Sequence, residues 1–150
     1  MNEAAKKRAL SLLEKRDYSR KMLIDKLTEK GAADDEAAEV ADWLCALGVV
    51  DDGRYAALVA RHYAAKGYGP RRIREELYRR GIARELWDEA MAELPETDGE
   101  VYRLLNAKLR GDTAPEAIQR AQNYLLRRGY SREEVRAAIA RCKADIEDTE

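Results

Sequence analysis

The 150-residue sequence contains no phenylalanine, one histidine and two cysteines, and these scarcities exclude several classes of protein. Cys45 and Cys142 are far apart, so neither has the close partner of a zinc site or a redox pair, and both are predicted to be small buried hydrophobes. His62 has no second histidine with which to complete a common metal site, and we expect it to pack in the core or at an interface. Because no Ser-His-Asp set or phosphate-binding glycine loop is found, the sequence predicts neither enzymatic activity nor a cofactor.

Long apolar runs are also missing, so no segment is expected to span a membrane. Met1 is followed by polar and basic residues rather than by the apolar core of a signal peptide. We therefore expect a cytoplasmic protein with no membrane partner. The chain has 45% hydrophobic and 38% charged residues, a composition typical of a soluble, helix-rich protein.

Charge is plentiful but unevenly distributed. The formal net charge is −1, yet the segment 61–84 is strongly basic, whereas acidic residues gather at 34–52, at 85–100 and in the tail 145–150. A polyanion responds to the local field, so the basic segment matters more for binding than the net charge.

Three aligned glycines, Gly31, Gly81 and Gly129, indicate an internal repeat of about fifty residues. Apolar residues lie at matching distances from each glycine, in five sets: Leu23, Ile73 and Ala121; Leu27, Leu77 and Leu125; Ala37, Trp87 and Val135; Ala41, Met91 and Ile139; Leu44, Leu94 and Cys142. No strand pattern is found. The sequence therefore predicts an all-α fold, an elongated tandem array of three three-helix repeats at 1–50, 51–95 and 96–150, the last with a short acidic tail.

Start and stop signals place the helices of the first repeat. A helix from Glu3 to Lys15 is followed by one that is capped by Ser19 and ends at Gly31, and a third ends at Gly48. The next helix begins at Asp51 and Asp52, which resemble a catalytic carboxylate pair but fit a helix cap better. Its buried stripe is predicted to contain Tyr55, Leu58, Val59, His62 and Tyr63.

The remaining repeats carry two further signals. The third helix of the middle repeat is predicted to contain Leu86, Trp87, Ala90, Met91 and Leu94 and to end before Pro95. Ser131 and Glu134 form the pattern of a capping box, which opens a final helix that we expect to end near Lys143.

The chain is organised around a predicted helix between Gly69-Pro70 and Gly81. Ile73 and Leu77 share its buried face, which leaves Arg71, Arg72, Arg74, Arg79 and Arg80 for the surface. In one interpretation, Glu75 and Glu76 pair with arginines four residues away, at about 0.2–0.5 kcal/mol per pair. In the other, which we favour, the three arginines at the helix start face a negatively charged partner, because cations there oppose the helix dipole at about 0.3–1 kcal/mol each.

Cations outside this helix extend the pattern to other parts of the chain. They are Arg20, Lys21, Arg61, Lys66, Arg127 and Arg128, and together they suit a long polyanion or a protein groove better than a small ligand. Tyr18 and Tyr68 occupy matching positions before the second helix of two repeats. We interpret them as packing residues, since tyrosines must fill aromatic core positions here, with stacking on nucleic-acid bases as the alternative.

Several of these stretches resemble the RecX family of bacterial regulators of the RecA recombinase. The resemblance lies in residues 16–20 (RDYSR), 47–56 (LGVVDDGRYA) and, above all, 67–77 (GYGPRRIREEL) followed by 80–82 (RGI). Residues 128–139 are similar to the closing repeat of the family. Tyrosines stand where phenylalanines are common in the family motifs, which is a conservative packing change.

The resemblance implies a non-catalytic protein, acting in DNA repair, recombination and the SOS response. Such a protein binds RecA, lodges in the groove of the RecA filament on single-stranded DNA, and inhibits filament activity. The family's reported DNA binding makes single- or double-stranded DNA a second partner, and we expect a monomer. The candidate contact residues are the five arginines of the middle motif with the six further cations named above. The alternative hypothesis is a helical-repeat DNA-binding protein that acts without RecA.

Overall fold

The computed structural model of the chain describes residues 1–149, and this part of the chain is helical with no strand, so the predicted all-α class is confirmed. Within these residues there are nine α-helices and one 3-10 turn at Arg84–Leu86. The helices are α1 Glu3–Lys15, α2 Arg20–Glu29, α3 Asp34–Ala46, α4 Asp52–Ala65, α5 Pro70–Arg79, α6 Trp87–Met91, α7 Asp98–Leu109, α8 Pro115–Arg127 and α9 Arg132–Thr149.

The helices belong to two compact units. Unit 1 comprises Met1–Val59 with Glu76–Ala92, and unit 2 comprises Ala60–Glu75 with residues 93–149. The middle third of the sequence therefore contributes to both units. The repeat boundaries at 1–50, 51–95 and 96–150 describe sequence similarity rather than compactness, and they stay a prediction.

The core of unit 1 is built mainly by α1, α2 and α3. Its members are buried apolar residues at helical spacing: Ala5, Ala9, Tyr18, Leu23, Leu27, Ala37, Val40, Ala41, Leu44 and Val50. The Ser19 hydroxyl accepts a hydrogen bond from the Met22 amide at 3.2 Å, which is the predicted cap of α2. The caps and the apolar spacing of this region are local signals, and for that reason the sequence located these helices well.

Unit 2 contains a second core, formed by α7, α8 and α9. Its buried members are Val101, Leu105, Leu109, Ala117, Ala121, Leu125, Tyr130, Val135, Ala138 and Cys142. The predicted capping box is present at the start of α9: the Glu134 amide donates to the Ser131 hydroxyl, and the Ser131 amide donates to the Glu134 carboxylate, both at 3.0 Å.

The prediction for α4 was partly wrong. Tyr55 and Val59 are buried, but Leu58 is 40% exposed and His62 is exposed, so the histidine is not a core residue. Ala56 and Ala60 are fully buried in their place. The buried face of α4 thus contains small alanines in place of some of the large apolar side chains that were predicted to lie there. Small residues allow close packing of helices, and a pattern of large hydrophobic residues does not predict where this occurs.

The third helix of the middle repeat is shorter than predicted. It opens with the 3-10 turn and α6 ends at Met91, so Leu94 lies beyond it. Pro95 has no amide to donate to the Met91 carbonyl and disfavours the helical conformation of Leu94. Leu86, Trp87 and Met91 are half-buried, and among the predicted apolar positions of this helix Ala90 alone is buried.

The last helix is longer than predicted, because α9 continues past Lys143 to Thr149. No glycine or proline interrupts this stretch. Tyr102 of α7 also secures it, since its hydroxyl donates to the Asp145 carboxylate and Arg141 lies 3.8 Å above its ring. Most of the predicted acidic tail is therefore helical, while Glu150 lies outside the described residues.

Candidate partner-binding surface

The arginines at the end of α5 both pair with Glu76 in unit 1. This glutamate is 6% exposed, and its carboxylate lies 3.3 Å from the Arg79 guanidinium and 3.4 Å from that of Arg80. Arg80 also donates to the Tyr55 hydroxyl at 2.5 Å. A buried carboxylate needs such partners, so Arg79 and Arg80 have structural roles. The predicted pairing of Glu76 with Arg80 is confirmed, whereas Glu75 forms no ion pair with any residue in the described chain.

The start of α5 is arranged differently, within unit 2. The Gly69 amide donates to the Arg128 carbonyl at 2.7 Å, and the Arg71 amide donates to the Gly129 carbonyl at 3.1 Å. The Arg71 guanidinium donates to the Leu126 carbonyl at 3.0 Å. These carbonyls lie at the C-terminal end of α8, the negative end of its dipole. The fold thus supplies part of the negative charge that the sequence argument assigned to an external partner.

This contact brings two backbones together at glycines. A Cβ atom on Gly69 would lie 2.6 Å from the Gly129 carbonyl group, and one on Gly129 would lie 2.5 Å from the Arg72 amide nitrogen. Gly129 also has φ of +100°, a region that side-chain-bearing residues rarely adopt. Glycine is therefore required at both positions by the close approach of the chain.

Tyr68 is packed between two arginines in unit 2. The Arg128 guanidinium lies 4.0 Å from the centre of the Tyr68 ring, and that of Arg72 lies 5.1 Å from it. The centres of the Tyr63 and Tyr68 rings lie 5.5 Å apart in an edge-to-face arrangement. We call Tyr63, Tyr68, Arg72 and Arg128 the arginine–tyrosine stack. Tyr68 is half-buried and Tyr18 is 8% exposed, in agreement with the packing role that we favoured for both.

A buried tyrosine supports the loop beside this stack. The Tyr130 hydroxyl donates to the Gly67 carbonyl at 2.8 Å, and Arg128 donates to the Lys66 carbonyl. Burial, reinforced by the nearby Glu100 carboxylate, raises the pKa of Tyr130 to about 12. Tyr130 was not among the residues predicted from the sequence, although its position directly after the aligned Gly129 was an available signal.

Two predicted cations of α2 are engaged by carboxylates of unit 1. Arg20 lies 2.7 Å from Asp42, whose pKa is lowered by this hydrogen bond, and Lys21 lies 3.0 Å from Asp25. The Arg20 amide donates to the Asp52 carboxylate at 2.8 Å. The Asp51 carboxylate accepts a hydrogen bond from the Arg54 amide at 3.0 Å and so caps α4. Both aspartates therefore cap helices, but Asp52 caps α2 rather than the helix to which it belongs.

Four of the eleven predicted cations are exposed and form no side-chain hydrogen bond, ion pair or ring contact with any other residue among 1–149. We call this set the unpaired cations: Arg61, Lys66, Arg74 and Arg127. All four belong to unit 2. The structure therefore divides the predicted set into cations with internal partners and cations that are available to a partner.

Two kinds of feature are absent from residues 1–149. No three histidine, cysteine, aspartate or glutamate side chains come together as metal ligands would. None of the helices is both long enough and apolar enough to cross a membrane.

The chain matches two known family models. A family model described as the first three-helix domain of RecX matches residues 5–44, and the model of the second three-helix domain of RecX matches residues 51–91. The chain belongs to the RecX family. The predicted resemblance is thereby confirmed, over a larger part of the sequence than the motifs that suggested it.

Curated relatives cover nearly the whole chain. The chain is 38% identical over 144 residues to the regulatory protein RecX of Xanthomonas oryzae pv. oryzae, covering 94% of this chain and 87% of the relative. It is 33% identical over 150 residues to the regulatory protein RecX of Halorhodospira halophila, covering 97% and 92%. Both relatives are named as regulatory proteins of the RecX family.

Solved structures agree on the fold. The crystal structure of RecX from Lactobacillus salivarius matches with a TM-score of 0.83 at 20% sequence identity, covering 94% of this chain and 96% of that one. At this identity the similarity establishes the RecX fold and not the contacts of individual residues.

Proposed function

We propose that this RecX-family chain is a non-enzymatic regulator that binds the RecA recombinase and its filament on DNA, and that it lowers filament activity. Membership of the RecX family and the regulatory naming of its relatives support this proposal. In this role the chain acts as a monomer in the cytoplasm, in DNA repair and recombination.

The observation that carries the proposal is the set of unpaired cations in unit 2. A guanidinium or ammonium group that is already held by an internal carboxylate has less to offer a partner than one that faces water alone. Arg61, Lys66, Arg74 and Arg127 are in the second condition. They are the residues best suited to bind RecA carboxylates or DNA phosphates.

Arg71 contributes as well, although its guanidinium is tied to the Leu126 carbonyl. One hydrogen bond uses one of the five N–H groups of an arginine, and the Arg71 side chain remains exposed. Arg79 and Arg80 are the weakest candidates of the predicted set, since both guanidinium groups are paired with the Glu76 carboxylate.

The direct test is ATP hydrolysis by RecA on single-stranded DNA, measured with and without this protein. We expect hydrolysis to fall as the protein is added in excess over RecA. An unchanged rate at several-fold excess contradicts the proposed function.

A matched pair of variants tests the unpaired cations. Arg61→Ala with Arg74→Ala is expected to weaken filament binding by about tenfold at low salt, because two exposed charges face the partner. The control is Lys15→Ala with Lys143→Ala, which removes the same charge from exposed positions outside the predicted set. If both double variants bind the filament equally well, Arg61 and Arg74 do not contribute to the interface.

Binding to bare DNA separates this proposal from a DNA-binding protein that acts without RecA. Affinity for naked single strands and for RecA-coated strands is measured at the same salt concentration. Tighter binding to coated strands supports RecA regulation. Equal binding with a steep salt dependence, in which each neutralised phosphate contributes nearly one unit to the log–log slope, favours the DNA-binding alternative.

A further inference from the structure

Tyr78 is the one tyrosine that the described fold does not use. The chain has eight tyrosines, and Tyr78 is 75% exposed, more than any other large hydrophobic side chain among residues 1–149. It forms no ring contact and no side-chain hydrogen bond with any of these residues. The other tyrosines are buried or half-buried, and each has a ring contact or a hydroxyl hydrogen bond: Tyr18, Tyr55, Tyr63, Tyr68, Tyr102, Tyr124 and Tyr130.

The solvent-exposed face of α5 surrounds the Tyr78 ring with charge. The exposed residues of this helix are Arg71, Arg74, Glu75, Tyr78 and Arg79. Arg74, one of the unpaired cations, precedes Tyr78 by four residues, so the two side chains are neighbours on the helix surface with Cβ atoms about 5–6 Å apart. Over the whole of α5 four arginines exceed two glutamates, so the helix carries a net positive charge. An exposed aromatic ring thus lies directly beside an available cation.

The neighbours of Tyr78 favour one class of partner. Tyrosines that anchor protein interfaces lie in a packed centre from which charged residues are depleted. Around Tyr78 the exposed residues of α5 are all charged, and no exposed apolar side chain of this helix accompanies the ring. A single aromatic ring among cations is instead the arrangement that binds single-stranded nucleic acid, because the cations bind phosphates and the ring stacks on a base.

Base stacking was the alternative prediction for Tyr18 and Tyr68, and the structure disfavours it for both. Tyr18 is 8% exposed. The Tyr68 ring is packed between Arg72 and Arg128. Neither ring is open to a base in the way that the Tyr78 ring is.

We propose that Tyr78 stacks on a base of single-stranded DNA while Arg74 binds a nearby phosphate of the same strand. This contact rests on the proposed function and deepens it, since it makes the DNA of the filament the component that this face of α5 meets. Every base has a π face, so stacking on a tyrosine tolerates any sequence. Such a contact suits a protein that acts on filaments regardless of the sequence on which they form.

The main test compares a fluorescein-labelled oligothymidine strand with an abasic strand of the same length, by fluorescence anisotropy at low salt. Tyr78→Ala should bind oligothymidine about tenfold more weakly than the wild type, the effect of losing one stacked base. Its affinity for the abasic strand should be unchanged, because that strand offers phosphates and no base. Tyr78→Phe should bind both strands as the wild type does, whereas Tyr78→Leu should behave like Tyr78→Ala.

A second variant examines the phosphate contact. Arg74→Ala should weaken binding to both strands and reduce the slope of log affinity against log salt by about 0.7, the contribution of one phosphate on a single strand. Tyr78→Ala should leave this slope unchanged. Lys143→Ala, which removes an exposed cation from α9, is the control and should bind as the wild type does. Circular dichroism should be unchanged for all of these variants, since every altered side chain is exposed.

Three results would reject the stacking contact. One is equal binding of oligothymidine by Tyr78→Ala and the wild type. Another is full affinity in Tyr78→Leu, which would show that apolar area rather than a π face is needed. The third is a Tyr78→Ala variant that loses affinity for RecA-coated strands alone, since Tyr78 would then contact protein.

Failure of the stacking contact can be distinguished from failure of the proposed function. If the wild type lowers ATP hydrolysis by RecA but does not bind oligothymidine, the stacking contact alone is wrong. If ATP hydrolysis is unchanged, the proposed function is wrong, and the two naked strands still decide whether Tyr78 stacks.

Discussion

The starts of α2 and α5 make the same kind of contact by different means. In the first junction, in unit 1, the Ser19 hydroxyl donates to the Arg80 carbonyl at 2.5 Å, beside Gly81. In the second junction, in unit 2, the Gly69 amide donates to the Arg128 carbonyl at 2.7 Å, beside Gly129. Ser19 and Gly69 lie the same distance before their aligned glycines, Gly31 and Gly81.

The difference lies in how close the two backbones come. The first junction accommodates side chains: the Lys21 stem lies against Gly81, and a hydroxyl bridges the two segments. The second junction is joined by backbone groups at Gly69 and Gly129, where no Cβ atom fits. A repeated contact can thus be conserved in position while its chemistry changes from side chain to main chain. The predictions below test this contrast, beginning with the largest effect.

Gly129→Ala should be the most damaging change. The new Cβ would lie 2.5 Å from the Arg72 backbone, at a position with φ of +100°. We expect the free energy of unfolding, measured by urea denaturation, to fall by about 3 kcal/mol or more from the combined strain and overpacking.

Gly31→Ala is the control for that variant. Gly31 is the aligned glycine, with φ of +105°, and a Cβ added there would meet no atom within 4 Å. Gly31→Ala should lower the free energy of unfolding by about 1 kcal/mol, because the alanine must adopt the unfavourable backbone conformation but meets no steric clash. Equal losses at the two glycines would contradict the close approach assigned to the second junction.

Ser19→Ala should have the next largest effect, in the first junction. It removes both the cap of α2 and the hydrogen bond to the Arg80 carbonyl, and should lower the free energy of unfolding by about 2 kcal/mol. Ser131→Ala, which removes a cap within one helix start, should lose about 1 kcal/mol. If Ser19→Ala and Ser131→Ala are equally stable in thermal denaturation, the hydrogen bond from Ser19 to the Arg80 carbonyl does not contribute to stability.

Tyr130→Phe tests the support of the second junction. Loss of the hydrogen bond to the Gly67 carbonyl, which leaves a buried acceptor, should cost about 1 kcal/mol at neutral pH. The pKa of Tyr130 is raised to about 12 from an ordinary value of 10.0, so its phenol contributes fully below pH 10 and loses this contribution as pH rises toward 12. Measured at pH 8, 10 and 11, the stability gap between wild type and variant should narrow at the highest pH. A gap that widens there would show that the phenol is not buried in its neutral form.

The smallest effects are expected from the aligned cations Lys21 and Arg71. Arg71→Ala should cost about 0.5–1 kcal/mol, since it loses the bond to the Leu126 carbonyl at the end of α8. Lys21→Ala should cost about 0.3 kcal/mol, because its pair with Asp25 is exposed. Chemical denaturation of both variants resolves this order, and the reverse order would mean that the Lys21 stem, rather than charge, holds the first junction.

Local signals predicted much of the fold. Ser19, the Ser131–Glu134 box and the apolar positions around Gly31, Gly81 and Gly129 each act within a few residues, so pattern and propensity identified the helices to which they belong. The predictions were wrong where contacts with a distant segment determine which face of a helix is buried or where a helix ends. Helix α4 turns alanines inward, and α9 continues past Lys143 with support from Tyr102, which is far away in sequence.

The candidate surface was predicted less completely, for the same reason. The sequence predicted eleven candidate cations. Seven of them have a side-chain partner within residues 1–149, and four do not: Arg61, Lys66, Arg74 and Arg127. The partners of the others include an ion pair within one helix, as for Lys21, and carbonyls more than fifty residues away, as for Arg71. The sequence also predicted Leu58 to be buried, whereas the structure leaves this side chain 40% exposed.

The sequence by itself determined the helical class, the register of the repeated glycines and the family, because these depend on residue type and spacing. The tertiary structure alone decided which charges are balanced internally, which apolar side chains remain exposed and why Gly69 and Gly129 bear no side chain. Those properties depend on distances between atoms of segments that are remote along the chain. Such distances cannot be inferred from the spacing of residues in the sequence.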